Sequence, residues 1–217
     1  MHVAVIGAGA AGLCAARYLS VDNSGFTCVV FEQTNSVGGT WVYTENTGKD
    51  EYGLPICSSM YKNLRTNLGK ENMEFPGFPF VNSKSFVTAA EVRQYLEDFA
   101  NNYNLKKNIK FLHHVTHVLP KDDKWEITSI NLPENKEATE EFDAVIICNG
   151  HHNEPYMGNF PGVADFKGEV MHSHSYRTPE KFSNKTVLIC GAGPSGIDIT
   201  YDLANCASKI NTRSITC

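Results

Sequence analysis

Two short runs hold the residue types that cradle phosphate. Gly7-Ala8-Gly9-Ala10-Ala11-Gly12 follows the apolar run Val3–Ile6, and Gly191-Ala192-Gly193-Pro194-Ser195-Gly196 follows Val187–Cys190. Both have the spacing G-x-G-x-x-G. The first glycine of such a turn permits the tight reversal, and the second lets the backbone approach a pyrophosphate. The third lets helix and strand pack closely, while the helix N-terminus stabilises the phosphate charge. Glu32 stands 20 residues beyond Gly12, at the end of the run Thr27–Phe31. A carboxylate there accepts from ribose hydroxyls and repels a 2′-phosphate, so the first turn suits FAD or NAD better than NADP. Val37-Gly38-Gly39-Thr40-Trp41 comes next. Its paired glycines allow close approach to an extended cofactor and Trp41 can lie along it, which points to FAD. Two dinucleotide turns imply two dinucleotides, and the natural pair is a flavin with the nicotinamide that reduces it. In the second unit the discriminating residue is expected near position 216. Arg213 is the nearby cation able to meet a 2′-phosphate, against the competing reading of a solvated surface arginine.

Elements of definite type must position these runs. Val3–Ile6 reads as a buried parallel strand, Leu13–Ser20 as a helix and Thr27–Phe31 as a second strand: a βαβ unit. Residues 33–86 are irregular, and a loop of that length in a compact domain is usually functional. Thr88-Ala89-Ala90-Glu91 is a capping box, and Val92, Tyr95, Leu96, Phe99 and Tyr103 give the helix behind it one buried face. Lys110–Val118, Trp125–Ile130 and Thr139–Phe142 read as a small meander, and Ala144–Cys148, apolar throughout, as a central strand. After a Gly/Pro/His-rich connection, Thr186–Cys190 is a strand, followed by a helix from about Pro194 to Cys206. The expected fold class is α/β: two dinucleotide-binding, Rossmann-like domains with a small antiparallel β meander, the second domain incomplete. Residues 1–182 form the FAD-binding domain, with 143–182 as hinge, and 183–217 begin an NADP-binding domain that reads as truncated.

Composition removes several other classes. With 19 Lys+Arg against 24 Asp+Glu the net charge is -5, which supplies no field for a phosphate backbone, so nucleic acid is not a partner. No apolar stretch reaches membrane-spanning length, and Val3–Ala16, interrupted by three glycines and lacking a basic leader, is not a signal peptide. Seven scattered cysteines with no Cys-x-x-Cys suit a reducing, cytoplasmic setting and oppose a disulfide framework. The histidines at 113, 114, 117, 151, 152, 172 and 174 lack a second ligand cluster, so no metal is expected. His172 reads as a structural hydrogen-bonding residue at the domain junction. Disulfide reductases need paired thiols beside the flavin, and none follow Gly39-Thr40-Trp41.

Between the two turns lies Phe166-Lys167-Gly168-Glu169-Val170-Met171-His172-Ser173-His174-Ser175-Tyr176. The pattern F-x-G-x-x-x-H-x-x-x-Y in that place resembles the fingerprint of the flavin-containing monooxygenases, and the resemblance covers essentially the whole chain. Leu64-Arg65-Thr66-Asn67, with Lys70-Glu71, is similar to that family's active-site loop. Ile147-Cys148-Asn149-Gly150-His151-His152 resembles its hinge, and Ser195-Gly196-Ile197-Asp198 its nicotinamide-nucleotide turn. The resemblance implies FAD and NADP as cofactors and a role for Asn67 at both, flanked by Thr66 and Leu68. It implies O2 and a small-molecule amine or sulfide as substrates, oxygenated through a flavin C4a-hydroperoxide. The alternatives are an NAD(P)H-dependent flavin reductase or oxidase without oxygen transfer, and an inert flavin-binding fragment. Gly69 replaces a proline common in the loop, which implies a looser segment, and Met157-Gly158 stands where a proline is frequent. Members of the family continue well past the point that corresponds to Cys217. Some carry a C-terminal anchor to the endoplasmic reticulum, the alternative to a cytoplasmic location.

Overall fold

Successive residues of the first strand face two different cores. In β1 (His2–Ile6), Val3 and Val5 point to one side and Ala4 to the other, as the two-residue period of a strand requires. The computed structural model describes residues 1–81 and 84–213. A glycine turn leads from β1 into α1 (Ala10–Leu19), and β2 (Thr27–Phe31) then pairs in parallel with β1. The capping box closes as read: Glu91 N donates to Thr88 Oγ1 at 3.3 Å and Thr88 N to Glu91 Oε2 at 2.7 Å. That starts α2 (Ala89–Asn102) and is worth about 1 kcal/mol to its N-terminus. The two-residue β3 (Ile109–Lys110) pairs with β2. An antiparallel meander follows, β4 (His113–Lys121), β5 (Lys124–Asn131) and β6 (Lys136–Phe142), and β7 (Ala144–Ile147) returns to pair in parallel with β1.

The parallel sheet has the order β3-β2-β1-β7. One face, with Val3, Val5 and Val30, is buried under Leu13 and Ala16 of α1 and Val92, Leu96 and Phe99 of α2. On the other face Ala4 and Phe31 meet Ile127 and Phe142 of the meander; the two phenylalanine rings are edge-on, 5.9 Å apart at 82°. Helices, parallel sheet and antiparallel sheet therefore form three layers. The last elements, β8 (Thr186–Cys190), α3 (Pro194–Leu203) and β9 (Lys209–Arg213), make a second strand–turn–helix–strand unit whose two strands are parallel. Among the described residues no helix is long and apolar enough to cross a membrane.

Three expectations need correction. The run Lys110–Val118 is not one strand: Leu112, in the left-handed region at φ 56°, turns the chain from the parallel sheet into the meander. The Ala144–Cys148 run is not central. Strand β7 pairs only with β1 among the described residues and lies at the sheet edge. Ala144 packs on the helix-side core and Val145 on the meander-side core, so both faces are partly covered where the strand starts; Cys148 packs on the helix-side core just beyond its end. Continuous apolarity does not report the number of ladder neighbours, nor here burial along the whole run, since Ile146 and Ile147 are exposed. Finally, α3 ends at Leu203 rather than Cys206; Cys206 and Ala207 N–H both turn back to Leu203 O, each at 3.0 Å.

Candidate functional site

The order β3-β2-β1-β7 places successive connections on opposite sides of β1. Its carboxyl end is thus a switch point, the place where open α/β sheets hold ligands. Gly7 sits there at φ +101°, and its N–H donates to Phe31 O at 2.8 Å. A Cβ at Gly7 would lie 2.5 Å from Cys148 O, and one at Gly12 only 1.8 Å from Gly7 O. Both are glycine for steric reasons inside the turn. Gly9 differs: a Cβ there would meet only the Gly39 backbone, at 3.5 Å. Gly38 N donates to Ala8 O at 3.1 Å, so the paired glycines dock directly on the phosphate-type turn. Ala10 and Ala11 are exposed at the open N-terminus of α1.

Glu32 is 7% exposed, immediately after β2. Its Oε2 accepts from Ala8 N at 2.7 Å, and its Oε1 accepts from Thr34 N and Thr34 Oγ1, both at 2.8 Å. A carboxylate offers about four lone-pair sites, so one remains for a ribose hydroxyl beside the turn it already braces. Gly39 (φ +55°), Thr40 and Trp41 form a single 3-10 turn. Ser58 Oγ donates to Thr40 O at 2.7 Å, while Trp41 is half-buried against the helix-side core.

The segment bearing Asn67 is held by the start of α2. Ala89 N donates to Leu64 O at 3.0 Å, Thr66 N to Val87 O at 2.8 Å, and Val87 N back to Thr66 Oγ1 at 3.2 Å. Thr66 is buried in this ladder; Asn67 and Leu68 leave it and are exposed. The same helix reaches the glycine pair, since a Cβ at Gly38 would lie 3.5 Å from Arg93 Cγ. Beyond Leu68, Ser85 Oγ donates to both oxygens of Glu71, at 2.9 and 2.8 Å. Gly69, expected to loosen the loop, has φ -62° and ψ 142°, which is the conformation a proline would impose.

The second unit repeats the first. Gly191 is at φ +117°, and its N–H donates to Arg213 O at 2.8 Å, the counterpart of Gly7 to Phe31. A Cβ at Gly196 would lie 2.2 Å from Gly191 O, whereas one at Gly193 would meet nothing within 4 Å. Ser195 and Ile197 are exposed on the first turn of α3. The carboxylate of Asp198 is engaged inside the protein, by the Tyr61 hydroxyl. Arg213 precedes Ser214 as Phe31 precedes Glu32; positions 214–217, including the neighbourhood of 216, lie outside the described residues.

In the fingerprint, His172 Nδ1 accepts from His174 N at 3.1 Å and so caps a short turn; burial lowers its pKa from the usual histidine value. The residue that reaches across is His174, whose Nε2 lies 3.2 Å from Cys57 O. Sequence reasoning missed Arg177, 2% exposed, which follows the fingerprint tyrosine. Its Nη1 donates to His174 O at 2.7 Å and Tyr176 O at 3.0 Å, and its Nη2 to Ser58 O at 2.9 Å and Asn46 O at 3.3 Å. It missed Tyr61, Asn63 and Asp202 as well; the four-residue spacing of Asp198 and Asp202 was the available signal.

Two strand–glycine–helix–strand units with the same turn hydrogen bond, one of them seated on an antiparallel sheet, define a Rossmann-like α/β protein. The flavin-binding monooxygenase-like family matches residues 1–216, and the chain belongs to that family. It is 41% identical over 228 residues to flavin-containing monooxygenase FMO GS-OX5 of Arabidopsis thaliana, covering 99% of this chain and 49% of the relative. It is 39% identical over 210 residues to senecionine N-oxygenase of Tyria jacobaeae, covering 96% and 46%. The structure of S-allyl-L-cysteine S-oxygenase from Allium sativum superimposes with a TM-score of 0.90 at 37% identity, over 100% of this chain and 52% of that one. The chain thus spans about half the length of these relatives.

Proposed function

We propose that the chain carries the FAD and NADP sites of a flavin-dependent monooxygenase that uses NADPH and O2 to oxygenate a soft nitrogen or sulfur of a small molecule. The observation that supports it most is the repeated glycine turn, present twice with the same backbone hydrogen bond, together with a segment anchored to α2 that presents Asn67. The relatives named for N- and S-oxygenation support the same reaction class. FAD fits the first turn, Gly7, Ala8, Gly9, Ala10, Ala11 and Gly12: Gly7 and Gly12 hold the tight backbone, Gly9 offers bare main chain at the open N-terminus of α1, Glu32 keeps an acceptor site for ribose, and Gly39, Thr40 and Trp41 flank it. NADP fits the second turn, at Gly191, Gly193, Ser195, Gly196 and Ile197. When bound, the flavin supplies the electron transfer and oxygen activation that no side chain can.

The protein's own tasks are to hold, orient and exclude water. Thr66, locked to Val87, fixes where Asn67 emerges; Asn67 supplies an uncharged amide donor at the reacting centre and Leu68 an apolar neighbour. Asn67→Leu should keep its flavin and go on oxidising NADPH. Oxygen transfer should fall about 100-fold, the scale of losing one preorganised donor, and H2O2 should appear in its place. Quantifying peroxide and product per NADPH checks this; unchanged coupling would remove Asn67 from the site.

Positions 213–217 contain an arginine and no acidic residue, which favours a phosphorylated nicotinamide dinucleotide. Arg213→Ala should raise the KM for NADPH roughly 10-fold or more, the scale of a lost charge-assisted hydrogen bond, and leave that for NADH nearly unchanged. Equal effects on both would refute the assignment.

The function itself is tested on the purified 217-residue chain. Flavin absorbance that bleaches anaerobically with NADPH, followed by N-oxide or sulfoxide formation from a tertiary amine or thioether in air, is the expected result. Bleaching with peroxide as the sole oxygen product would make the chain a reductase or oxidase. A colourless chain that takes up no FAD would overturn the reading.

A further inference from the structure

Asp198 and Asp202 stand four residues apart on α3, a spacing that puts both carboxylates on one face of the helix. Both are engaged from outside it. Tyr61 O–H donates to Asp198 Oδ2, Asn63 Nδ2 to Asp202 Oδ1 at 2.9 Å, and Tyr176 O–H to Asp202 Oδ2 at 2.6 Å. The Tyr61 and Tyr176 rings meet edge-on, 5.3 Å apart at 68°, and are buried with Ile199 and Leu203. Lys62 N donates to Arg177 O at 2.9 Å and continues the same seam. Burial, then the carboxylate partners, push both phenol pKa values far above the ordinary tyrosine value, so each hydroxyl stays a donor.

The placement of these residues gives them meaning. Helix α3 begins in the Gly191–Gly196 turn, and Asn67 lies six residues beyond Tyr61 on a segment anchored to α2. Ile199 and Leu203 supply adhesion, but apolar contacts tolerate sliding and rotation. Three directional bonds to two carboxylates one helical turn apart do not. We propose that Tyr61, Asn63 and Tyr176 are positioning residues that, through Asp198 and Asp202, hold the second dinucleotide turn in register with the Asn67 loop. On this reading the part played by Asp198 is to tie α3 to Tyr61. The proposal rests on the reading of Gly191–Gly196 as the nicotinamide-dinucleotide site.

A double-mutant cycle on the whole chain tests it, with Tyr61→Phe, Asp198→Ala, their combination, and Asp198→Asn as a rescue that keeps an acceptor. Flavin content and spectrum should match wild type in all four. The Kd for NADP+, from calorimetric titration, should rise about 10-fold, equivalent to roughly 1.4 kcal/mol, in each of the first two. It should rise no further in the double variant and be largely restored in Asp198→Asn, because two residues of one contact are not additive. Amide exchange without nucleotide should accelerate over 194–203 in Tyr61→Phe and stay unchanged over 2–6 and 27–31. An unchanged Kd in the single variants, or effects that multiply in the double, would overturn the proposal. Should wild type bind no NADP+, the dinucleotide reading fails, and exchange alone decides the clamp: acceleration over 194–203 supports it and its absence overturns it. Tyr61→Phe keeps the ring and hence the fold, so this arm stands even if Asp198→Ala does not fold.

Discussion

Gly196→Ala should lose both NADP+ binding and several degrees of thermal stability, whereas Gly193→Ala should lose the binding alone. The two glycines belong to one motif, but their surroundings differ. A Cβ at Gly196 would lie 2.2 Å from Gly191 O, a backbone atom that cannot step aside without dismantling the turn. Overpacking of this kind costs about 1–3 kcal/mol. At Gly193 the same Cβ would meet nothing within 4 Å, and its φ of -73° is open to any residue. Among the described residues nothing crowds that position, and under the proposed function it is an approaching pyrophosphate that excludes a side chain there. The first turn sharpens the contrast: Gly12→Ala, with 1.8 Å to Gly7 O, sits beneath the core strand β1 and should yield a chain without flavin. Thermal melts read alongside flavin absorbance and NADP+ titration separate the cases. Equal melting of Gly193→Ala and Gly196→Ala would refute the distinction.

Arg177→Met should destabilise the chain by about 3 kcal/mol, since it takes the donor from two buried and two part-buried carbonyls. At this chain length that corresponds to roughly 6–12 °C in Tm. The guanidinium ties residues 46, 58 and 174–176 together through main-chain oxygens, with no carboxylate among the partners. Burial pulls its pKa below the ordinary arginine value. Carbonyl dipoles arranged around a planar fork are what keep such a charge tolerable, and for that reason Arg177→Lys, a point charge on a flexible stem, should recover only part of the loss. Circular-dichroism melts of the three proteins decide it; a lysine variant as stable as wild type would show that charge alone matters.

What the sequence made legible was local. The two turns, the βαβ start, Glu32 at the end of β2 and the capping box at Thr88 each lie within a stretch of about 30 residues or fewer, and all stand where they were read. Two errors came from signals that do not carry the needed information. An apolar run carries no count of ladder neighbours, so it could not reveal that β7 lies at an edge or that Ile146 and Ile147 are exposed. Nor does residue type announce the reversal at Leu112, where a leucine holds a left-handed conformation usually left to glycine or asparagine. The seam at α3 was invisible for a third reason: Tyr61 and Asp198 are 137 residues apart, and only folding makes them neighbours. For the fingerprint, spacing drew attention to His172, while burial falls on Tyr176 and Arg177.

Gly69 acts chiefly through the unfolded chain. In the folded protein it occupies the narrow φ, ψ region in which a proline would be confined from the outset. Glycine explores far more space before folding, and ordering it costs about 0.4–1 kcal/mol that a proline there would not incur. The segment carrying Asn67 therefore owes its order to what grips it, Thr66 on Val87 at one end and Glu71 on Ser85 at the other, and not to its own backbone. Loss of either grip would return that conformational entropy to the segment.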